Sequence, residues 1–147
     1  MPSKPPFHKQ ETQYSCAVAC LRMVLGHYGV DMPEQELRTL CDCTAAFGTD
    51  ALALVEGARQ LDFPLTTKHN LEFADLVELV AGGYFPIVFV NLGPLDGVDE
   101  RHALLAVEAN ETTVTVYDPH YGERHLSAEI FRASWNLQRN LAILVAR

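Results

Sequence analysis

Apolar residues recur at helical spacing over residues 16–28, where Ala17, Cys20, Leu21, Val24, Leu25 and Tyr28 fall on one stripe. Gly29 follows where a left-handed C-cap is wanted. Pro33 opens a second short helix, "PEQELRTLCD", with Asp31 as its cap. The "GTD" of residues 48–50 starts a third, capped by Thr49 or Asp50 and reaching Gln60. "FPLTTK" reads as a short strand, and "LEFADLVELVAGG" as a fourth helix stopped by Gly82 and Gly83.

The second half changes character. "FPIVFVN", "HALLAVEA", "TTVTVYD", "ERHLS" and "NLAILVA" are strand-like and are separated by Gly, Pro, Asn and Asp clusters. One more helix, "AEIFRASW", precedes the last strand, with Phe131 and Trp135 one turn apart as core residues. "NLGPLDGVDER" is long and polar enough for a mobile surface flap. Helices first and an antiparallel sheet second predict an α+β domain spanning 1–147.

Composition narrows the function classes. The 147 residues are 48% hydrophobic and 20% charged, enough for a core without covalent staples. No apolar run is long enough to span a bilayer, so a membrane-spanning chain is not expected. A net charge of −8, with 11 scattered Lys and Arg, disfavours a nucleic-acid partner. "MPSKPPFHK" lacks the apolar core of a signal peptide, which points to the cytoplasm and to four reduced cysteines.

One of those cysteines raises a chemical question. Cys16 stands at the first turn of the first helix, where the helix dipole and unpaired amides favour thiolate over thiol. Activation also calls for an imidazole and a group to orient it. His102 begins one strand and Asp118 ends the next, with Asn110 midway. A hairpin symmetric about Asn110 sets His102 directly opposite Asp118, on one face. A two-residue turn at Asn110-Glu111 would put them on opposite faces, so the pair requires an odd-numbered loop or a β-bulge. Gln10, six residues before Cys16, is a candidate second donor to an oxyanion beside the Cys16 amide.

"QETQYSCAVACLRMVLGHYG", then "GTD" before a helix, then "RHALLAVEANETTVTVYDP" resembles the bacteriocin-processing, double-glycine leader peptidases, a papain-like cysteine peptidase family. The resemblance implies a papain-like α+β fold, with Cys16 as nucleophile, His102 as base and acid, Asp118 as orienter and Gln10 as oxyanion donor. It implies hydrolysis through a thioester, no cofactor, a leader peptide cut after two glycines, and an export transporter as a further partner. Two positions depart from the family pattern. Ser15 replaces an Asp and is expected to cap the helix; Ala17 replaces a Gly and is expected to narrow the space beside the thiol. The long segment before His102 resembles free-standing members more than transporter-fused ones.

Other residues carry blander expectations. Cys20 is core, the "LCDCT" pair Cys41 and Cys43 lacks zinc-ligand spacing, and His8, His27 and His69 are surface or helix-face residues. His120 and His125 lie close enough to Asp118 to compete as the base. Two alternatives to a peptidase stay open: a peptide-binding module that cleaves nothing, and a thiol acyltransferase or transglutaminase-like enzyme with the same triad.

Overall fold

The computed structural model describes residues 3–147. Among them the chain runs α1 (Cys16–His27), α2 (Glu34–Leu40), α3 (Ala51–Gln60), β1 (Thr67–Asn70), α4 (Phe73–Ala81), β2 (Ile87–Asn91), α5 (Gly93–Asp96), β3 (Arg101–Ala109), β4 (Thr113–Asp118), β5 (Gly122–Ser127), α6 (Ala128–Asn136) and β6 (Leu141–Leu144). The strands form one antiparallel sheet in the order β1-β6-β2-β3-β4-β5. This is the expected α+β class.

Both faces of the sheet are covered. Leu21, Leu25, Leu37 and Leu54 from α1 to α3 pack with Ile87, Leu105 and Ile143 of the sheet. On the other face Leu76 of α4 and Phe131 and Trp135 of α6 pack with Val88, Leu104 and Val116. Burial on both sides is why β3 can carry the unbroken apolar run Ala103 to Val107 instead of alternating. Each fully buried Leu or Phe stabilises the fold by roughly 1.5–3 kcal/mol. The Trp135 indole also donates to the Leu141 carbonyl at 2.9 Å, so its one polar atom is satisfied.

Three expectations are corrected. The strand expected at "FPLTTK" begins only at Thr67, because residues 62–66 turn out of α3 with Asp62 at φ 69° and Phe63 buried in the core. Pro33, extended at ψ 143°, takes the N-cap position of α2 in place of Asp31; α3 does use Asp50, whose carboxylate accepts the Ala53 N–H at 2.8 Å. The segment expected to be a mobile flap is tied down around α5. Leu92 N–H donates to the Glu100 carbonyl at 2.8 Å, Asn91 Nδ2 to Asp99 at 2.9 Å, and Leu92 and Leu95 join the second core cluster.

Candidate active site

Cys16 is the first residue of α1 and is half-buried. Ser15 holds the N-cap position, but its side chain caps none of the helix N–H groups. The hydroxyl instead closes the turn before the helix, accepting from the Thr12 N–H at 3.1 Å and donating to the Thr12 carbonyl at 3.3 Å. The first-turn amides, which lack intrahelical partners in any helix, are thus left without a side-chain cap beside the thiol. Ala17 is 3% exposed and belongs to the larger core cluster, against which Cys16 also packs.

The turn carrying Cys16 is held from two sides. Gly48, at φ 63°, lies so close that an added Cβ would sit 2.9 Å from the Tyr14 carbonyl oxygen. The Cys43 thiol donates to that same oxygen at 3.8 Å. On the other side the Glu34 carboxylate, 1% exposed, accepts the Glu11 N–H at 3.0 Å. Arg38 Nε lies 3.4 Å from the second Glu34 oxygen, and Glu11 reaches both Arg22 and Arg38. Burial holds the Glu34 carboxyl above the usual carboxylate range despite the Glu11 amide and Arg38.

The β3–β4 hairpin contains the required bulge, between Ala106 and Glu108. It sets Leu105 opposite Tyr117, and continuing that register brings Leu104, not His102, opposite Asp118. His102 is therefore the diagonal neighbour of Asp118 rather than its direct partner, at the same parity along the strand. Its Nε2–H donates to Asp118 Oδ1 at 2.8 Å, the carboxylate being able only to accept. Nδ1 is the ring nitrogen that this bond leaves free. Burial pulls the imidazole down, but the bond to Asp118 and the neighbouring Cys16 and Asp118 side chains outweigh it and push His102 up to about 9. Burial opposes the Asp118 charge as well, yet His102, the His120 amide and Arg124 together hold the carboxyl below its usual value.

Gln10 comes to this end of the sheet along β3 and β4. Lys4 pairs with Glu108, and the Phe7 ring stands edge-on to Tyr117 at 5.7 Å. The Gln10 N–H then donates to the Pro119 carbonyl at 2.8 Å. Its side-chain Nε2 donates to the Thr12 carbonyl at 2.7 Å, which leaves one Nε2 hydrogen uncommitted. Its buried Oε1 finds no partner among the described residues.

The competing histidines are turned to other partners. His120 is exposed, stacks edge-on to Tyr121 at 4.4 Å, and offers Asp118 only its backbone N–H, at 2.9 Å. His125 lies between Thr115 Oγ1 at 3.1 Å and Glu123 at 3.0 Å. Cys20 is fully buried with its thiol pushed strongly up by burial, and Cys41 is pushed up to about 12 by the same cause. Two residues were not singled out from sequence. Glu34 reads as an ordinary i, i+4 partner of Arg38, and Arg124 as a surface position of an alternating strand. No signal local to either residue marks its role: Gly122, directly across from Asp118, is two residues before Arg124 but leaves open space that the Arg124 side chain does not enter.

The model of the Peptidase C39 family matches residues 4–147. The transport/processing ATP-binding protein MesD for mesentericin Y105, from Leuconostoc mesenteroides, is 32% identical over 108 residues, 63% of this chain. The chain covers only 15% of that protein's length. The peptidase domain of Streptococcus ComA, a bifunctional ABC transporter of a quorum-sensing pathway, superposes with a TM-score of 0.78 at 26% identity, over 95% of this chain and 97% of that domain. A double-glycine-motif protease from an AMS/PCAT transporter, solved with its leader peptide, gives 0.78 at 20% identity, over 97% of this chain and 91% of the other. An uncapped helix start bearing a cysteine, a histidine held by a buried aspartate, and a match running the length of the described chain converge: the chain belongs to the Peptidase C39 family of cysteine peptidases.

Proposed function

We propose that this chain hydrolyses a peptide bond in a leader peptide, after a pair of glycines, using Cys16, His102, Asp118 and Gln10. The observation that carries the reading is the 2.8 Å bond from His102 Nε2 to buried Asp118, which leaves Nδ1 free, together with Cys16 at the uncapped start of α1. The Cys16 thiolate attacks the scissile carbonyl carbon, forming a C–S bond and an oxyanion. The Cys16 amide and the free Gln10 Nε2 hydrogen stabilise that oxyanion. The C–N bond breaks as imidazolium His102 gives its proton to the leaving amine, and a thioester remains. Water then attacks the thioester with His102 as base; the acid is released and the thiol restored. Asp118 holds the imidazole in one tautomer throughout. The double-glycine preference and an export transporter as partner rest on the relatives and fit a cytoplasmic site with free thiols.

The test is a synthetic leader peptide ending in Gly-Gly and followed by a short extension, incubated with wild type and Cys16→Ala and read by mass spectrometry. Two fragments split after the second glycine, absent with Cys16→Ala, are expected. An intact peptide, together with Cys16 alkylated by iodoacetamide no faster than a free thiol, would overturn the reading in favour of a binding module. A fragment bearing an added amine would replace hydrolysis with acyl transfer.

A further inference from the structure

Asp118 is flanked by two diagonal neighbours, one on each adjacent strand. His102 on β3 takes Oδ1, and Arg124 on β5 donates from Nη1 to Oδ2 at 3.1 Å. Directly across from Asp118 on β5 stands Gly122, and Arg124 reaches the carboxylate from two residues further along the strand. Asp118 is 1% exposed by its side chain, so the guanidinium is a partner within the protein for an oxygen that water barely reaches. The same guanidinium is held from the far side by Asp96, with Nη2 to Oδ1 at 2.7 Å and Nη1 to Oδ2 at 3.1 Å. Asp96 ends α5, in the segment that leads directly into Arg101 and His102. One side chain therefore braces the carboxylate that orients the imidazole and also the chain segment from which the imidazole projects.

We propose that Arg124 is a positioning residue for the His102–Asp118 pair, and that Asp96 anchors it through a two-point fork. Arg124 touches neither the thiol nor the reacting carbonyl in this account; it acts through Asp118. A guanidinium suits the position because its planar donors can serve two carboxylates at fixed angles, which an ammonium on a flexible stem cannot. The proposal rests on the peptidase reading above, but part of its test needs no substrate.

The test compares Arg124→Gln, Arg124→Lys and Asp96→Asn with wild type. The first readout is the downfield proton resonance of the His102 imidazole N–H bonded to Asp118, assigned by its loss in His102→Ala. The second is cleavage of the leader peptide. Arg124→Gln is expected to broaden or erase the resonance and to lower kcat about tenfold, with KM within about twofold. Arg124→Lys is expected to recover part of both, and Asp96→Asn, at a more exposed site, to lower kcat about threefold with a weakened resonance. If Arg124→Gln does not fold, Asp96→Asn decides by the same two readouts. An unmoved resonance in the folded variants overturns the proposal, whether activity is kept or lost. Failure of wild type to cut any peptide would sink the function above, and the resonance would still decide the role of Arg124.

Discussion

The Gln10 N–H is bonded to the Pro119 carbonyl at 2.8 Å, so the proposed oxyanion donor is fastened to the residue next to Asp118. The tether is main chain and survives any side-chain change. Gln10→Ala is therefore expected to leave the fold intact while removing the Nε2 donor together with its bond to the Thr12 carbonyl. Loss of one oxyanion-hole donor costs about 10²–10³ in kcat. Steady-state kinetics on the leader peptide should show that drop with KM nearly unchanged. Gln10→Glu should be as poor, since an ionised carboxylate cannot donate. Wild-type kcat in Gln10→Ala would remove this residue from the mechanism.

In the proposed reaction the leaving amine takes its proton from His102, whose imidazole is pushed up to about 9 by Asp118 and Cys16 against the pull of burial. Cleavage should persist through neutral pH and fall as pH rises through about 9. Alkylation of Cys16, which needs only the thiolate, should not fall there. Asp118→Asn removes the charge that raises His102 and should bring the alkaline limb toward the ordinary 6.5. The linkage has the same sign for stability. A group raised on folding stabilises fully below its unfolded value and loses that contribution as pH climbs through the folded one. Stabilisation on the order of 3 kcal/mol is thus present at pH 6 and gone by pH 10. Urea unfolding of wild type and His102→Ala at those two pH values measures it, and an equal difference at both would contradict the assignment.

Gly48 tests whether close packing sets the turn that leads into Cys16. Its φ of 63° costs a substituted residue about 1–2 kcal/mol. An added Cβ would also meet the Tyr14 carbonyl at 2.9 Å, two residues from Cys16, where backbone must shift. Gly29 shares the strained geometry at φ 82° but has nothing within 4 Å. Both Gly48→Ala and Gly29→Ala should lower Tm by several degrees. Only Gly48→Ala should also slow Cys16 alkylation and peptide cleavage. Equal activity in the two variants would show that the contact with Tyr14 does not govern the thiol.

How far such features can be read from sequence depends on whether they are periodic or relational. The α1 stripe repeats at helical spacing, the five later strands are strand-like runs bounded by turn residues, and they form where the pattern places them. The His102–Asp118 pairing was legible only up to a parity, because the bulge between Ala106 and Glu108 has no side-chain signature in "LLAVEA". The single turn of α5 was hidden inside a Gly-Pro segment that looks like coil. Pairing of β1 with β6 joins residues about half the chain apart, which no local window contains. Arg124 and Glu34 escaped for one reason: their importance lies in what folds against them. A charged residue on an alternating strand or an amphipathic helix is solvated in most proteins, and nothing local marks the exception.

Glu34 supplies the last prediction, where charge and hydrogen bonding pull apart. Its carboxylate accepts the Glu11 N–H at 3.0 Å and lies 3.4 Å from Arg38 Nε, yet it is 1% exposed. Burial raises its pKa above 4.5, so the ionised form is the less comfortable one in the folded chain. A carboxyl raised on folding stabilises most when protonated, and its contribution declines as pH rises through the folded value. Glu34→Gln keeps an oxygen for the Glu11 amide and removes the charge. It should therefore unfold at the wild-type urea midpoint or slightly above it at pH 7, and should lose that advantage by pH 4. Glu34→Ala removes the acceptor as well, leaving the Glu11 amide unpaired and Arg38 with Glu11 alone, a loss of about 1–3 kcal/mol. It should also slow cleavage, because the 10–15 turn that carries Gln10 and leads into Cys16 loses its outer brace. If Glu34→Gln is destabilised as much as Glu34→Ala, attraction to Arg38 outweighs burial at this position, and the brace is an ion pair rather than a hydrogen bond.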